Sequence, residues 1–248
     1  MKRLFVRVLG LLAVVLLLAT AGFVAWGSTP AGPLPQAEQA LLNDDVVRVS
    51  QERWLVFDPA SSQPDTALIF YPGGRVDYRA YAPQARAIAE QGFRVIIVPM
   101  PLSLAVFGTN SASEVMAAYP EIKHWAVGGH SLGGAMAALF AAQNPGLVQG
   151  LVLWASYPAD NSSLAGTATK VVSIYGTQDG LATGGKIEAS HTLLPDDTRY
   201  VAIQGGNHAQ FGAYGVQSGD GQASISPEEQ LQQIVEATTA LLQDLRGQ

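Results

Sequence analysis

From about Val46 onward the chain alternates short apolar runs with longer amphipathic stretches. Ala67–Tyr71 (ALIFY) and Arg94–Val98 (RVIIV) are apolar almost throughout, as strands covered on both faces of a sheet are. Val46–Phe57 predicts one or two opening strands that stop at Asp58-Pro59. Further strands are expected at His124–Val127, leading into Gly128-Gly129, and at Leu151–Ala155, Val171–Tyr175 and Tyr200–Ile203. Helical spacing appears between them. Tyr81–Glu90 puts Ala85, Ile88 and Ala89 on one face. Ser111 or Ser113 is expected to cap a helix running through Ala118. Leu132–Gln143 is Ala-rich and closed by Asn144-Pro145-Gly146, and Gly184–His191 has a helical pattern. Ser226-Pro227-Glu228-Glu229 predicts a helix start, with proline in the first turn and acids at the positive dipole end; that helix runs to about Leu245. Strands alternating with helices predict an α/β fold: a mostly parallel central sheet with helices on both faces.

The first 27 residues follow a different pattern. Lys2, Arg3 and Arg7 precede Val8–Trp26, an uncharged stretch made mostly of Leu, Val and Ala. A helix of about 20 apolar residues crosses a bilayer core, and basic residues ahead of it favour a cytoplasmic N-terminus with the body on the far side. A secretory signal peptide has similar features, and Ala19-Thr20-Ala21 offers a small-x-small cleavage site. The apolar run continues past that site through Phe23, Val24 and Trp26, which favours a retained transmembrane anchor. Either way the body is expected outside the cytoplasm, anchored or secreted. Ser28–Pro35 (STPAGPLP) reads as extended linker, and residues 28–45 are assigned to it.

Composition narrows the functions. Of 248 residues, 48% are hydrophobic and 14% charged, enough apolar material for one large core. Net charge is −6, and the only charges in residues 1–27 are three basic ones, so the body is strongly acidic. An acidic body does not attract phosphate backbones, so no nucleic-acid partner is expected. The absence of cysteine excludes disulfides, thiolate catalysis and cysteine metal sites.

Candidate chemistry centres on Gly128-Gly129-His130-Ser131-Leu132-Gly133-Gly134, which contains G-x-S-x-G between a predicted strand and a predicted helix. A serine on such a turn needs strained backbone angles, and flanking glycines let strand and helix close in. Activating Ser131 requires a base. In this arrangement an acid and then a histidine follow in chain order. Asp179 lies in the loop after Ser173–Tyr175 and His208 in the loop after Tyr200–Ile203, both past the carboxyl ends of predicted strands. Their competitors are His124, His130 and His191 for the base, and Asp160, Asp196 and Asp197 for the acid. Of these, His130 is a candidate pocket-lining residue.

GGHSLGG, YGTQDG and GGNHAQFG together resemble the α/β-hydrolase superfamily over roughly Val46–Leu245, in a compact bacterial branch similar to carboxylesterases and dienelactone hydrolases. Serine here replaces the cysteine of true dienelactone hydrolases, so that substrate is not carried over. The resemblance implies a hydrolase domain over 46–248 and a Ser131-His208-Asp179 triad that cleaves small or accessible esters through an acyl-enzyme. It also implies an oxyanion hole from the N–H groups of Leu132 and of Gly74, with Arg75 the next match in Pro72-Gly73-Gly74-Arg75. No metal or organic cofactor is expected. Ser156–Lys170, where relatives insert a lid, is short and predicts an open site. Phe211–Gly221 reads equally as a pocket wall beside His208 or as a surface loop. Thioesterase, peptidase or transacylase chemistry would use the same triad, and a non-catalytic tethered binding protein would use the same fold. Substrate identity and oligomeric state are not legible in the chain.

Overall fold

A long apolar helix, α1 (Lys2–Gly27), precedes the body in the computed structural model, which describes residues 2–247. Met1 and Gln248, the outermost residues of the expected spans, lie outside the described residues. Within α1, Arg7–Gly27 is long and apolar enough to cross a membrane (21 residues, mean hydropathy 2.7); its most apolar 18-residue window is not buried against protein, and burial begins only at Gly27. A membrane anchor and a signal sequence both meet that description.

Ser28 and Thr29 continue the end of α1 as a turn, and Pro30–Leu34 is extended as expected, but it is tied down. Ala31 forms a parallel bridge with Val76, and the Leu34 N–H donates to the Ala213 carbonyl at 2.8 Å. A short helix that the pattern did not predict follows, α2 (Pro35–Gln39), started by proline in its first turn and fully burying Ala37.

The opening segment forms two strands, β1 (Val47–Gln51) and β2 (Leu55–Pro59), paired antiparallel. Next come β3 (Thr66–Tyr71), α3 (Ala82–Glu90), β4 (Arg94–Ile97) and α4 (Ser111–Ala118). Then follow β5 (His124–His130), α5 (Leu132–Gln143), β6 (Gly150–Trp154) and β7 (Lys170–Gly176). The chain ends with α6 (Gly184–Ala189), β8 (Arg199–Ile203) and α7 (Pro227–Arg246). One eight-stranded sheet results, in the order β1-β2-β4-β3-β5-β6-β7-β8. The pairs from β4-β3 through β7-β8 are parallel, while β2 runs antiparallel to β4.

The sheet is covered on both faces, which is why β3 is buried at every residue. Leu68, Phe70 and Trp154 pack with α3 and α7 on one side, and Ile69, Tyr71, Val127 and Leu151 with α4 and α5 on the other. The last helix starts where its sequence predicts. Ser226 Oγ accepts from the Glu229 N–H at 3.1 Å while a Glu229 carboxylate oxygen accepts from the Ser226 N–H at 2.8 Å, a reciprocal capping box.

Two boundaries differ from expectation. Asn110, not Ser111 or Ser113, holds the cap position of α4, and its side chain makes no cap bond. The stretch Gly184–His191 splits after Ala189, where Ser190 Oγ donates to the Ile187 carbonyl at 2.7 Å and a 3-10 turn follows. The parallel run β3–β8 has one functional consequence: its carboxyl ends share an edge, and the loops after β3, β4, β5, β7 and β8 gather there.

Candidate active site

Ser131 sits between β5 and α5 with φ 51° and ψ −122°. Such backbone angles are costly for a residue with a side chain, on the order of 1–3 kcal/mol, and persist only where the surroundings enforce them. Here the glycines allow the enforcing contacts. A Cβ on Gly129 would lie 2.5 Å from the Gly133 carbonyl carbon and 2.6 Å from the Gly134 nitrogen, so the end of β5 touches the first turn of α5 backbone to backbone. A Cβ on Gly133 would overlap the carbonyl oxygens of Tyr71 and Pro72. The turn is pinned by the Ser131 N–H donating to the Trp154 carbonyl at 3.0 Å and by Ser156 Oγ donating to the Ser131 carbonyl at 2.7 Å. Gly133→Ala is expected to cost about 3 kcal/mol or more, since rigid backbone opposes the added methyl. A urea midpoint within error of the parent's would show that α5 is not packed this way.

His208 follows β8 and is 1% exposed. Its Nδ1 lies 2.8 Å from Asp179 Oδ2, and Asp179 is 5% exposed. The other carboxylate oxygen, Oδ1, accepts from the N–H groups of Leu181 and Ala182, each at 2.7 Å. The carboxylate is thus held from behind with one oxygen left for the imidazole. An ionised carboxylate only accepts, so Nδ1 carries the proton and Nε2 presents its lone pair. Nε2 is buried and bonds no protein atom. Ser131, Leu132 and His208 line one cavity of about 330 Å3, with Ala135, Ala155, Tyr157 and Leu181 among its apolar walls. The serine and the imidazole therefore lie on the same side of the sheet, facing one space.

The loop after β3 narrows the choice of a second donor beside Leu132. The Gly73 N–H donates to Tyr81 Oη at 2.9 Å, and the Arg75 N–H donates to the Ser103 carbonyl at 2.7 Å. Pro72 has no N–H. Gly74 is left with the free N–H of this loop among the described residues, and it rests on Leu132: a Cβ there would be 3.5 Å from Leu132 Cβ. Leu132 opens α5, where N–H groups have no acceptor within the helix.

The competing residues are elsewhere. His124 begins β5 at the opposite edge of the sheet. His191 stacks on Tyr200 with ring centroids 3.9 Å apart. Asp160 and Asp196 are exposed, and Asp197 pairs with Lys170 at 2.5 Å. His130 does not line the cavity. Its ring is buried behind His208 with centroids 4.5 Å apart, it stacks on Phe211, and its Nδ1 bonds Tyr81 Oη at 2.8 Å. Burial first, then the neighbouring His208, hold the His130 pKa well below the ordinary imidazole value.

Two residues at this site carry no local signal in the sequence. Tyr81 joins the Gly73 loop to His130 through one hydroxyl, which accepts from one and bonds the other. Asp220 accepts from the N–H groups of His208 (3.1 Å), Ala209 (2.8 Å) and Gly180 (3.2 Å), and so fastens the His208 loop to the Asp179 loop. The stretch Phe211–Gly221 is therefore not a wall of the Ser131 cavity: Phe211 and Tyr214 are buried against His130, and Asp220 is the clamp. Gly221 permits the clamp, because a Cβ there would overlap the Gln178 carbonyl oxygen. Among the described residues, no three His, Asp or Glu side chains are grouped so as to hold a metal.

A strained serine between strand and helix, on a doubly covered parallel sheet, defines the class of α/β hydrolases. The profile of the alpha/beta hydrolase family matches residues 67–232, and the chain belongs to that family. Solved structures share the fold at low identity. Est1E from Butyrivibrio proteoclasticus, solved with ferulic acid bound, superposes with a TM-score of 0.59 at 13% identity, covering 83% of this chain and 98% of its own. The esterase domain of a Rhodothermus marinus protein gives 0.55 at 15% identity, covering 79% and 98%. An alpha/beta hydrolase enzyme from a lagoon-sediment metagenome (Mar Chica, Morocco) gives 0.54 at 18% identity, covering 65% and 90%. Among curated proteins none matches this chain.

Proposed function

We propose that this hydrolase cleaves carboxylic esters of small or accessible substrates, with Ser131 as nucleophile, His208 as general base and Asp179 as the residue that orients the base. The supporting observation is the buried Asp179–His208 pair at 2.8 Å, whose imidazole has its Nε2 unbonded and lines the same cavity as Ser131. Ser131 Oγ attacks the ester carbonyl while Nε2 takes its proton, and the Leu132 and Gly74 N–H groups stabilise the resulting oxyanion. The imidazolium returns the proton to the leaving alcohol, and water, deprotonated by the same nitrogen, hydrolyses the acyl-enzyme. No step calls on a metal or cofactor. The cavity's apolar walls suit an acyl group.

The same proposal takes residues 1–27 as a retained transmembrane anchor, residues 28–45 as the connection and residues 46–248 as the catalytic domain outside the cytoplasm. A fluorophosphonate probe, followed by peptide mass analysis, tests the chemistry. Modification of Ser131 alone is the expected result. A chain that stays unlabelled at Ser131 while folded would refute the assignment.

A further inference from the structure

The end of α1 does not hang free of the body. A Cβ on Gly27 would lie 2.8 Å from Leu102 Cβ, so the helix end rests on the loop after β4. Phe23, one turn earlier, stacks on Trp26 with centroids 5.8 Å apart and meets Phe107 edge-on at 6.3 Å. The Arg75 guanidinium lies 4.4 Å from the centroid of the Trp26 ring and donates to the Thr29 carbonyl at 2.6 Å. Phe107 and its neighbour Val106 are large apolar residues left 54% and 47% exposed. The whole stretch Val95–Ser113 carries no charged residue.

Length arithmetic sets the depth of these groups. Residues Arg7–Gly27 rise about 30 Å as a helix, matching a bilayer's hydrocarbon thickness with little to spare. Phe23 is four positions before Gly27, so it lies about 6 Å inside the helix end. Phe107 touches Phe23 and shares its depth. Arg75 and Trp26 then fall where a cation and an aromatic ring belong, at the headgroup boundary.

We propose that Val106 and Phe107 dip into the outer boundary of the bilayer beside α1, and that the substrate is a lipid-like ester taken from the membrane rather than from water. The loop connects directly to the proposed oxyanion donor: Ser103 accepts the Arg75 N–H at 2.7 Å, and a Cβ on Gly74 would lie 3.8 Å from Leu104 Cδ2. The α1 helix therefore meets the body on the carboxyl edge of the sheet, the edge that carries Ser131. An ester with a long acyl chain can reach the serine while its tail stays in the bilayer. The inference rests on the anchor and esterase assignments proposed above.

The chain has no cysteine, so Phe107→Cys, Leu17→Cys and Leu147→Cys each create a sole thiol. Leu147 is exposed beyond the end of α5, at the opposite edge of the sheet. Each full-length variant is spin-labelled in phosphatidylcholine vesicles, and its collisions with oxygen and with a nickel chelate are compared by electron paramagnetic resonance. The expected result is that the labels at 17 and 107 favour oxygen while that at 147 favours the chelate. Lipid depth at 17 with water exposure at 107 overturns this proposal alone, and water exposure at both overturns the anchor as well. A label at 107 shielded from both reagents would mean contact with protein, such as a second copy, and also overturns it. In a second measurement, Phe107→Asp lowers hydrolysis of a long-chain p-nitrophenyl ester dissolved in those vesicles several-fold and leaves kcat/KM for soluble p-nitrophenyl acetate unchanged. Equal effects on the two substrates count against the proposal. Loss of both in the parent protein would defeat the esterase assignment while leaving the depth result standing.

Discussion

Ser131→Ala in the purified protein is expected to lower hydrolysis of p-nitrophenyl acetate by about 10⁴-fold or more, since residual catalysis must come from binding and the oxyanion donors alone. The change is small structurally. Ser131 is only half-buried at the cavity, so losing one oxygen leaves no void in the core. The strained turn survives because the contacts that enforce it come from Gly129, Gly133 and Ser156, not from the serine side chain. Thermal unfolding should stay within about 1 kcal/mol of the parent, as for substitutions away from the core. Parent-level turnover by the folded variant would remove Ser131 from the mechanism.

Asp179→Asn is the second large effect, and it is more specific because it acts through a proton's position. The amide oxygen can keep the two N–H groups of Leu181 and Ala182 that now bond Oδ1. Its NH2 group then faces His208 Nδ1, where the carboxylate oxygen now lies at 2.8 Å. A donor opposite Nδ1 requires the imidazole to carry its proton on Nε2, so Nε2 can no longer accept one. A loss of about 10⁴-fold in kcat follows, with nearly unchanged geometry. Steady-state kinetics across pH, with circular dichroism as the fold control, measures it. A loss below tenfold would show that the carboxylate does not set the tautomer.

How much of this was legible depends on how local each requirement is. The turn at Ser131 was legible because its demands fall within seven consecutive residues: a strand that must end, a helix that must begin, and no side chains between them. The meeting of Asp179 and His208 was legible at one remove, since each follows a buried strand and parallel strands bring such loops to one edge. The β3 and β4 runs were legible because double burial leaves them without polar residues. Gly74 could be ranked ahead of Arg75 from the chain by resemblance, but the physical reason for that ranking could not be read there. That depended on Tyr81 and Ser103 occupying the neighbouring N–H groups from outside the loop. Asp220 was illegible for the same reason. An aspartate between glycines fits any exposed turn, and only the closure of two loops gave it four N–H groups to accept.

By itself, then, the order of apolar runs and turn residues determined an α/β sheet, the α/β-hydrolase family and three candidate residues for the chemistry, because strand burial and backbone clearance depend on near neighbours along the chain. The tertiary structure decided what depends on neighbours across it. It selected the N–H groups left free, the carboxylate that clamps the loops, the burial of His130 behind His208 and the seating of the apolar helix against the loop after β4. These follow from distances between segments tens of residues apart, which no local pattern specifies.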